Sequence, residues 1–125
     1  MIPWFYIYNA SIPNRNVNYE WSSVVPGNTS ETLWSDYISF SELPMIINPE
    51  SGFIQNCNSS PFETTIGDEN PDPSLYNDSY GIENIMTNRA LRALETFGND
   101  PSISYKEFKN YKYDLIYSTE SSMYK

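Results

Sequence analysis

The chain has no histidine, a single cysteine (Cys57), and only seven Lys or Arg among 125 residues. Each shortage removes a class of chemistry. Without His, neither a Ser-His-Asp nor a Cys-His triad can be assembled from these residues. A His-based zinc site is excluded on the same ground, and one Cys cannot make a thiolate cluster. Nor can it close an internal disulfide, and it neither proves nor excludes an exported location. Seven basic residues against 16 acidic ones leave a net charge of −9, the wrong balance for nucleic acid, where clustered Lys and Arg meet phosphate. It is equally wrong for an anionic membrane surface. The safest meaning of such acidity is solubility. Long apolar runs are also missing. Residues 1–8 are apolar but too short for a membrane span or a signal peptide, and no basic stretch precedes them. There is no phosphate-cradling Gly loop and no carboxylate pair spaced for glycoside hydrolysis.

Aromatic residues, by contrast, are plentiful, with 11 Tyr, 6 Phe and 3 Trp making 16% of the chain. Tyr and Trp suit surfaces that are half apolar and half wet, such as pocket walls and interfaces. Hydrophobic residues at 39% and charged residues at 18% do not describe a disordered chain. The length fits one domain, and a domain of this size is expected to hide about two-thirds of its unfolded surface.

Along the chain, residues 3–8 read as an aromatic, β-branched strand. A chain that opens directly in a strand suggests further sequence upstream. Residues 9–18 form a polar loop, and Pro26-Gly27 marks a turn. Residues 43–48 and 52–56 read as a hairpin closed by Glu50-Ser51-Gly52, with the polar run 56–61 at its exit. Residues 63–81 are loop-like. From Ile82 onward, Ile85, Met86, Ala90, Ala93, Leu94 and Phe97 recur at helical spacing, with Gly98 as the stop. Ser104 and Glu107 are spaced as a capping box for a second helix, which would turn Phe108, Tyr111, Leu115 and Ile116 to a core. The expected class is α+β, with a strand-rich 1–62, a loop at 63–81 and a helical 82–125.

Pattern alone stops there on function. Several segments in order nevertheless resemble the penicillin acylase (penicillin amidase) family. They are Tyr19-Glu20-Trp21, Val25-Pro26-Gly27-Asn28-Thr29-Ser30, Leu33-Trp34 and Leu43-Pro44. The run Asn48-Pro49-Glu50-Ser51-Gly52-Phe53-Ile54-Gln55-Asn56-Cys57-Asn58-Ser59-Ser60-Pro61 follows. Asn88-Arg89-Ala90-Leu91-Arg92 and Lys112-Tyr113-Asp114 complete the set. The hairpin together with the downstream Asn-Arg is the specific part.

The resemblance implies an N-terminal-nucleophile hydrolase, built as an αββα sandwich, of which this chain would be an internal piece of the large subunit. In that family a freed N-terminal Ser attacks an amide carbonyl with its own α-amino group as base. The substrates are small N-acylated compounds such as a penicillin or an N-acyl-homoserine lactone, and the process is tied to antibiotic biosynthesis. Position by position, Asn58 matches the oxyanion-hole asparagine and Arg89 an arginine that orients the nucleophile or substrate. Asn56 is given a supporting substrate-binding role. The chain begins with Met1 rather than Ser, so the Ser-bearing segment and the small subunit are expected as partners from outside it. Chemistry requires no cofactor. Calcium is found in some members, and Asp68 and Asp72 lie near one such region. A periplasmic or secreted setting follows from the resemblance alone.

Local chemistry offers plainer readings beside these. An Asn-rich run before Ser-Ser-Pro is commonly a turn whose side chains bond nearby backbone. A lone helical Arg is commonly solvated or ion-paired, and Arg92 one turn on reads as structural. Cys57 reads as a small buried hydrophobe, since no His is available to activate it. Four sequon matches, at Asn9, Asn28, Asn58 and Asn77, are chance products of an Asn- and Ser-rich chain. The rival from another class is a non-catalytic binding or interaction module derived from the same fold.

Overall fold

The computed structural model describes residues 4–8 and 11–124. Pro3 of the expected first strand and Asn9 and Ala10 of one sequon lie outside them. Among the described residues the architecture is mixed α+β, with two antiparallel strands and two helices joined by 3₁₀ turns. Strand β1 is Phe5–Ile7 and pairs with β2, Met45–Ile47, in the register Phe5 to Ile47, Tyr6 to Ile46 and Ile7 to Met45. The ladder is continued at both ends, where Asn48 N donates to Trp4 O at 2.8 Å and Tyr8 N to Pro44 O at 3.0 Å. Directly opposed residues share a face. Tyr6 and Ile46 are accordingly both buried, and Phe5 and Ile47 are both exposed.

The expected hairpin between 43–48 and 52–56 does not form. Its turn is present, with Gly52 N donating to Pro49 O at 3.0 Å and Gly52 at φ +66°. Asn48, at φ +50°, has already deflected the chain, and β2 takes β1 as its partner. Residues 53–55 bond forward instead: Gln55 N to Thr64 O at 2.9 Å, Gln55 Nε2 to Glu63 O at 2.8 Å, and Thr65 Oγ1 to Phe53 O at 2.7 Å. Asn70 locks this loop, its Oδ1 accepting from Thr64 N and Thr65 N at 2.8 and 3.0 Å.

The first helix, α1, is Asn88–Ala93 and starts later than the apolar spacing predicts. Thr87 is its cap, its hydroxyl accepting from Ala90 N at 3.3 Å. Before it, Glu83 Oε1 accepts from Ile85 N at 2.7 Å. A carboxylate that binds local backbone in this way competes with helix formation, and Ile85 is left exposed. The helix widens into a π turn, Leu94–Gly98. Gly98 is there for proximity, since a Cβ on it would lie 2.8 Å from Ile66 Cδ1 and 3.3 Å from Phe53.

Helix α2, Tyr105–Lys112, carries the expected capping box, with Glu107 N donating to Ser104 Oγ at 3.3 Å and Ser104 N to Glu107 Oε2 at 2.9 Å. Phe97 meets Phe108 and Tyr111 edge-on at 6.0 and 5.2 Å. Leu115 and Ile116 do not reach a core: they lie beyond the helix and are 91% and 62% exposed.

The buried set is thin. Among the described residues Tyr6, Ile12, Leu43, Ile46 and Ala90, with Pro13, Pro44, Pro49 and Pro61, are its apolar members, and Gln55, Ser59, Ser60, Thr64, Thr65, Ser118 and Ser121 are buried polar groups. The chain exposes 9030 Å², where a compact monomer of its mass exposes about 6,900 Å². It therefore hides about 57% of its unfolded surface, short of the expected two-thirds. The reason is physical: only short elements form, so most large apolar side chains have no facing layer to pack against.

Candidate functional site

The sequence directs attention to Asn58, which sits in a bend between the 53–55 segment and the 3₁₀ turn Pro61–Glu63. Its backbone is left-handed, at φ +55°, a conformation that Asn tolerates better than most residues. Asn56 sets that conformation up, its Oδ1 accepting from Asn58 N at 3.2 Å. This local turn is the plainer chemistry of an Asn-rich run, and it uses the Asn56 oxygen.

Arg89 closes on the bend from the first turn of α1. One guanidinium nitrogen, Nη2, donates to Cys57 O at 3.0 Å and to Asn58 Oδ1 at 3.4 Å. A guanidinium can only donate, so it must face the oxygen of the Asn58 amide and turn the NH2 end away. Asn58 and Asn56 line one cavity of about 320 Å³ with Tyr6, Tyr8, Ser59 and Glu83. Glu83 N donates to Tyr8 Oη at 3.4 Å across its edge, and burial raises the Tyr6 phenol above its usual range. Arg89 and Cys57 line a different cavity, between α1 and α2. Burial also raises the Cys57 thiol, outweighing the nearby Arg89 charge, which keeps it in the poorly nucleophilic protonated form.

Chemically, this places the Asn58 amide on the wall of a small cavity, its oxygen facing a cation that can only donate. A model of the penicillin amidase family matches residues 4–123. The chain belongs to the penicillin amidase family. The match covers both strands, the Asn58 bend and both helices.

Other residues that the penicillin amidase resemblance brought forward sit apart. Arg92 is structural in its contacts: Nε donates to Asp114 Oδ2 at 2.7 Å and Nη1 pairs with Glu95. The pairing holds the Asp114 carboxyl below its usual range and raises Arg92. Asp68 and Asp72 do not assemble a calcium site. Asp72 Oδ1 accepts from Ser74 N at 2.9 Å as the cap of a 3₁₀ turn, and among the described residues no three carboxylates, Cys or His come together. A calcium ion wants six to eight oxygens, so these residues do not fit it.

Two further positions shape the site: Thr87, which the motif does not include, and Asn88, which the sequence marks only as part of the Asn-Arg motif. Thr87 caps α1 and thereby aims Arg89; a Thr three residues before Ala90, ahead of an Asn-Arg helix start, was its legible signal. Asn88 Oδ1 accepts from Ser118 N at 2.8 Å, tying residues beyond α2 back to α1. That contact joins positions 30 apart in the chain and had no local signal.

Proposed function

We propose that this penicillin amidase chain is part of the nucleophile-bearing large subunit of an N-terminal-nucleophile amide hydrolase, its strands and helices forming one portion of an αββα sandwich. In this reading a Ser Oγ from an N-terminal segment outside the chain attacks the amide carbonyl of an N-acylated compound. Its α-amino group takes the proton, which suits a base whose reference pKa is near 8. The carbonyl oxygen becomes negative and accepts from the Asn58 NH2. Collapse of the tetrahedral species breaks the C–N bond, and the amine leaves with the proton. Water then hydrolyses the acyl ester in the reverse proton sense. Asn58 would contribute about 10²–10³ in rate, the usual worth of one preorganised oxyanion donor. Arg89 acts through Asn58 by holding its oxygen.

The observation that carries this reading is the Arg89–Asn58 contact, because it takes the amide oxygen and leaves the NH2 end without a protein partner among the described residues. Exposed aromatic and aliphatic side chains, Trp34, Phe40, Leu115 and Tyr117 among them, would pack against the rest of the subunit and against the small subunit. Penicillins and N-acyl-homoserine lactones remain the substrate class, and a periplasmic or secreted setting the location.

The rival reading, a binding module without catalysis, draws on the same exposed surface. One experiment separates them: express the whole reading frame that contains this chain, read the N-terminal residue of the mature subunit, and follow amine release from an N-acyl-p-nitroanilide. A mature N-terminal Ser and steady release of p-nitroaniline are expected. A frame that yields no N-terminal Ser and no hydrolysis would leave the binding module.

A further inference from the structure

Residues 82–87 form neither helix nor strand, yet they are tied down beside Asn58. Upstream, Arg15 Nη1 donates to Ser79 O at 2.9 Å, and the Arg15 guanidinium lies 5.8 and 5.6 Å from the Trp21 and Trp34 rings. Gly81, at φ +64°, leaves room for it, since a Cβ there would meet Arg15 Nη1 at 2.7 Å. Downstream, Ser60 N donates to Ile85 O at 3.4 Å. Between these ties Glu83 is set on the wall of the cavity that Asn58 lines. Its backbone N donates to Tyr8 Oη at 3.4 Å, and its Oε1 accepts from Ile85 N at 2.7 Å. The second carboxylate oxygen has no protein partner among the described residues. Among those residues Glu83 is also the one charged group on this wall, and Ile7 is the one lining residue without a polar side chain. Arg89 meets the Asn58 oxygen but lines the neighbouring cavity instead.

We propose that Glu83 is a specificity-determining residue, selecting N-acylated compounds whose amine half carries an ammonium a few bonds from the cleaved amide. The proposal rests on the hydrolase reading, which puts the scissile carbonyl at Asn58. A wall of phenols, amides, a hydroxyl and a carboxylate has little to offer an apolar acyl chain, because those groups lose water without gaining a partner. It suits the polar amine half of the substrate. An ammonium there meets the free Glu83 oxygen in a charge-assisted hydrogen bond, and the rings of Tyr6 and Tyr8 also favour a cation over an anion. A carboxylate in the same place meets like charge, with no cation on the wall to offset it.

The test is hexanoate release from three hexanoyl amides by the mature enzyme, assembled with its Ser-bearing segment and small subunit. The amine halves are matched in length: ethylenediamine, propylamine and β-alanine, which are cationic, neutral and anionic at the far end. Glu83→Gln removes the charge and keeps an oxygen for Ile85 N. Glu63→Gln, on the wall of a different cavity, is the control. The natural enzyme is expected to favour the ethylenediamine amide over the β-alanine amide about tenfold in kcat/KM, the combined worth of one exposed attraction gained and one repulsion avoided. Glu83→Gln should bring the two close to equal while the propylamide changes little, and Glu63→Gln should behave as the natural enzyme does. Added salt should shrink the natural enzyme's preference, a readout of the charge that needs no variant. Equal rates on the two charged amides, or a Glu83→Gln variant that slows all three alike, would overturn the proposal and leave the hydrolase reading standing. No hexanoate from any of the three would overturn the hydrolase reading, and the selection with it.

Discussion

At the scale of single residues, Asn70 ties the loop after β2 together through its side-chain amide. Its amide satisfies the backbone N–H groups of Thr64 and Thr65, which are 1% and 2% exposed. Removing it leaves buried donors unpaired, so Asn70→Ala is expected to destabilise the protein by about 1–3 kcal/mol, read as a lowered denaturation midpoint. Asn70→Asp keeps the accepting oxygen but sets a second carboxylate oxygen against Thr65 O and Gly67 O, to which Asn70 Nδ2 donates at 2.9 and 3.3 Å, so it should recover only part of that loss. Asn58 is a different kind of residue. Its left-handed backbone means that Asn58→Ala would mix strain with loss of the amide, whereas Asn58→Gly removes the amide alone. The sequence made Asn58, Asn56 and Arg89 legible as names because the motif around them is contiguous. What it left unread was their arrangement. Asn56 serves the turn with its oxygen, and Arg89 reaches Asn58 across 31 positions, a relation that local pattern does not encode.

Among the elements, α2 was the most legible, since Ser104 and Glu107 carry a start signal written in four residues. Ser104→Ala should cost about 0.5–2 kcal/mol, seen as a lower melting temperature and faster amide exchange over residues 105–108. The start of α1 was misread because Ile82, Ile85 and Met86 have helical spacing while Glu83 binds the backbone of Ile85. Spacing reports what a helix would bury, not whether side chains outcompete it. The hairpin was misread for a related reason. A turn signal at Glu50-Ser51-Gly52 predicts a reversal, but partner choice for β2 was decided by a strand 40 residues away. The Arg92–Asp114 pair that ties α1 to the segment after α2 makes a pH prediction. Asp114 titrates below its usual range when folded. Its contribution is therefore present above the unfolded carboxyl range near 4 and is lost as pH falls through the lower folded value. Asp114→Asn should cost about 1 kcal/mol at neutral pH and nothing at a pH below both values, checked by denaturant titration at pH 7 and at the acid end.

For the whole molecule, the order of strand and helix patterns indicated a mixed α+β chain, and composition spoke only against disorder. It overstated the core. Aromatic abundance was read as pocket or interface material, yet composition could not reveal how little of it faces inward. The excess of about 2,100 Å² over a compact monomer is comparable to a full protein–protein interface. It predicts that the isolated chain self-associates, with sedimentation showing species larger than 14.5 kDa and dye binding to apolar surface. A monomer that melts cooperatively without binding such a dye would favour the stand-alone module. The family match leaves the chemistry to be tested in the whole enzyme, and the most direct measurement is kcat of Asn58→Gly against the natural protein on an N-acyl-p-nitroanilide. The account predicts a fall of about 10²–10³, with KM changed little and the melting temperature nearly unchanged. A variant that turns over at the natural rate would contradict the assignment of Asn58 as the oxyanion donor.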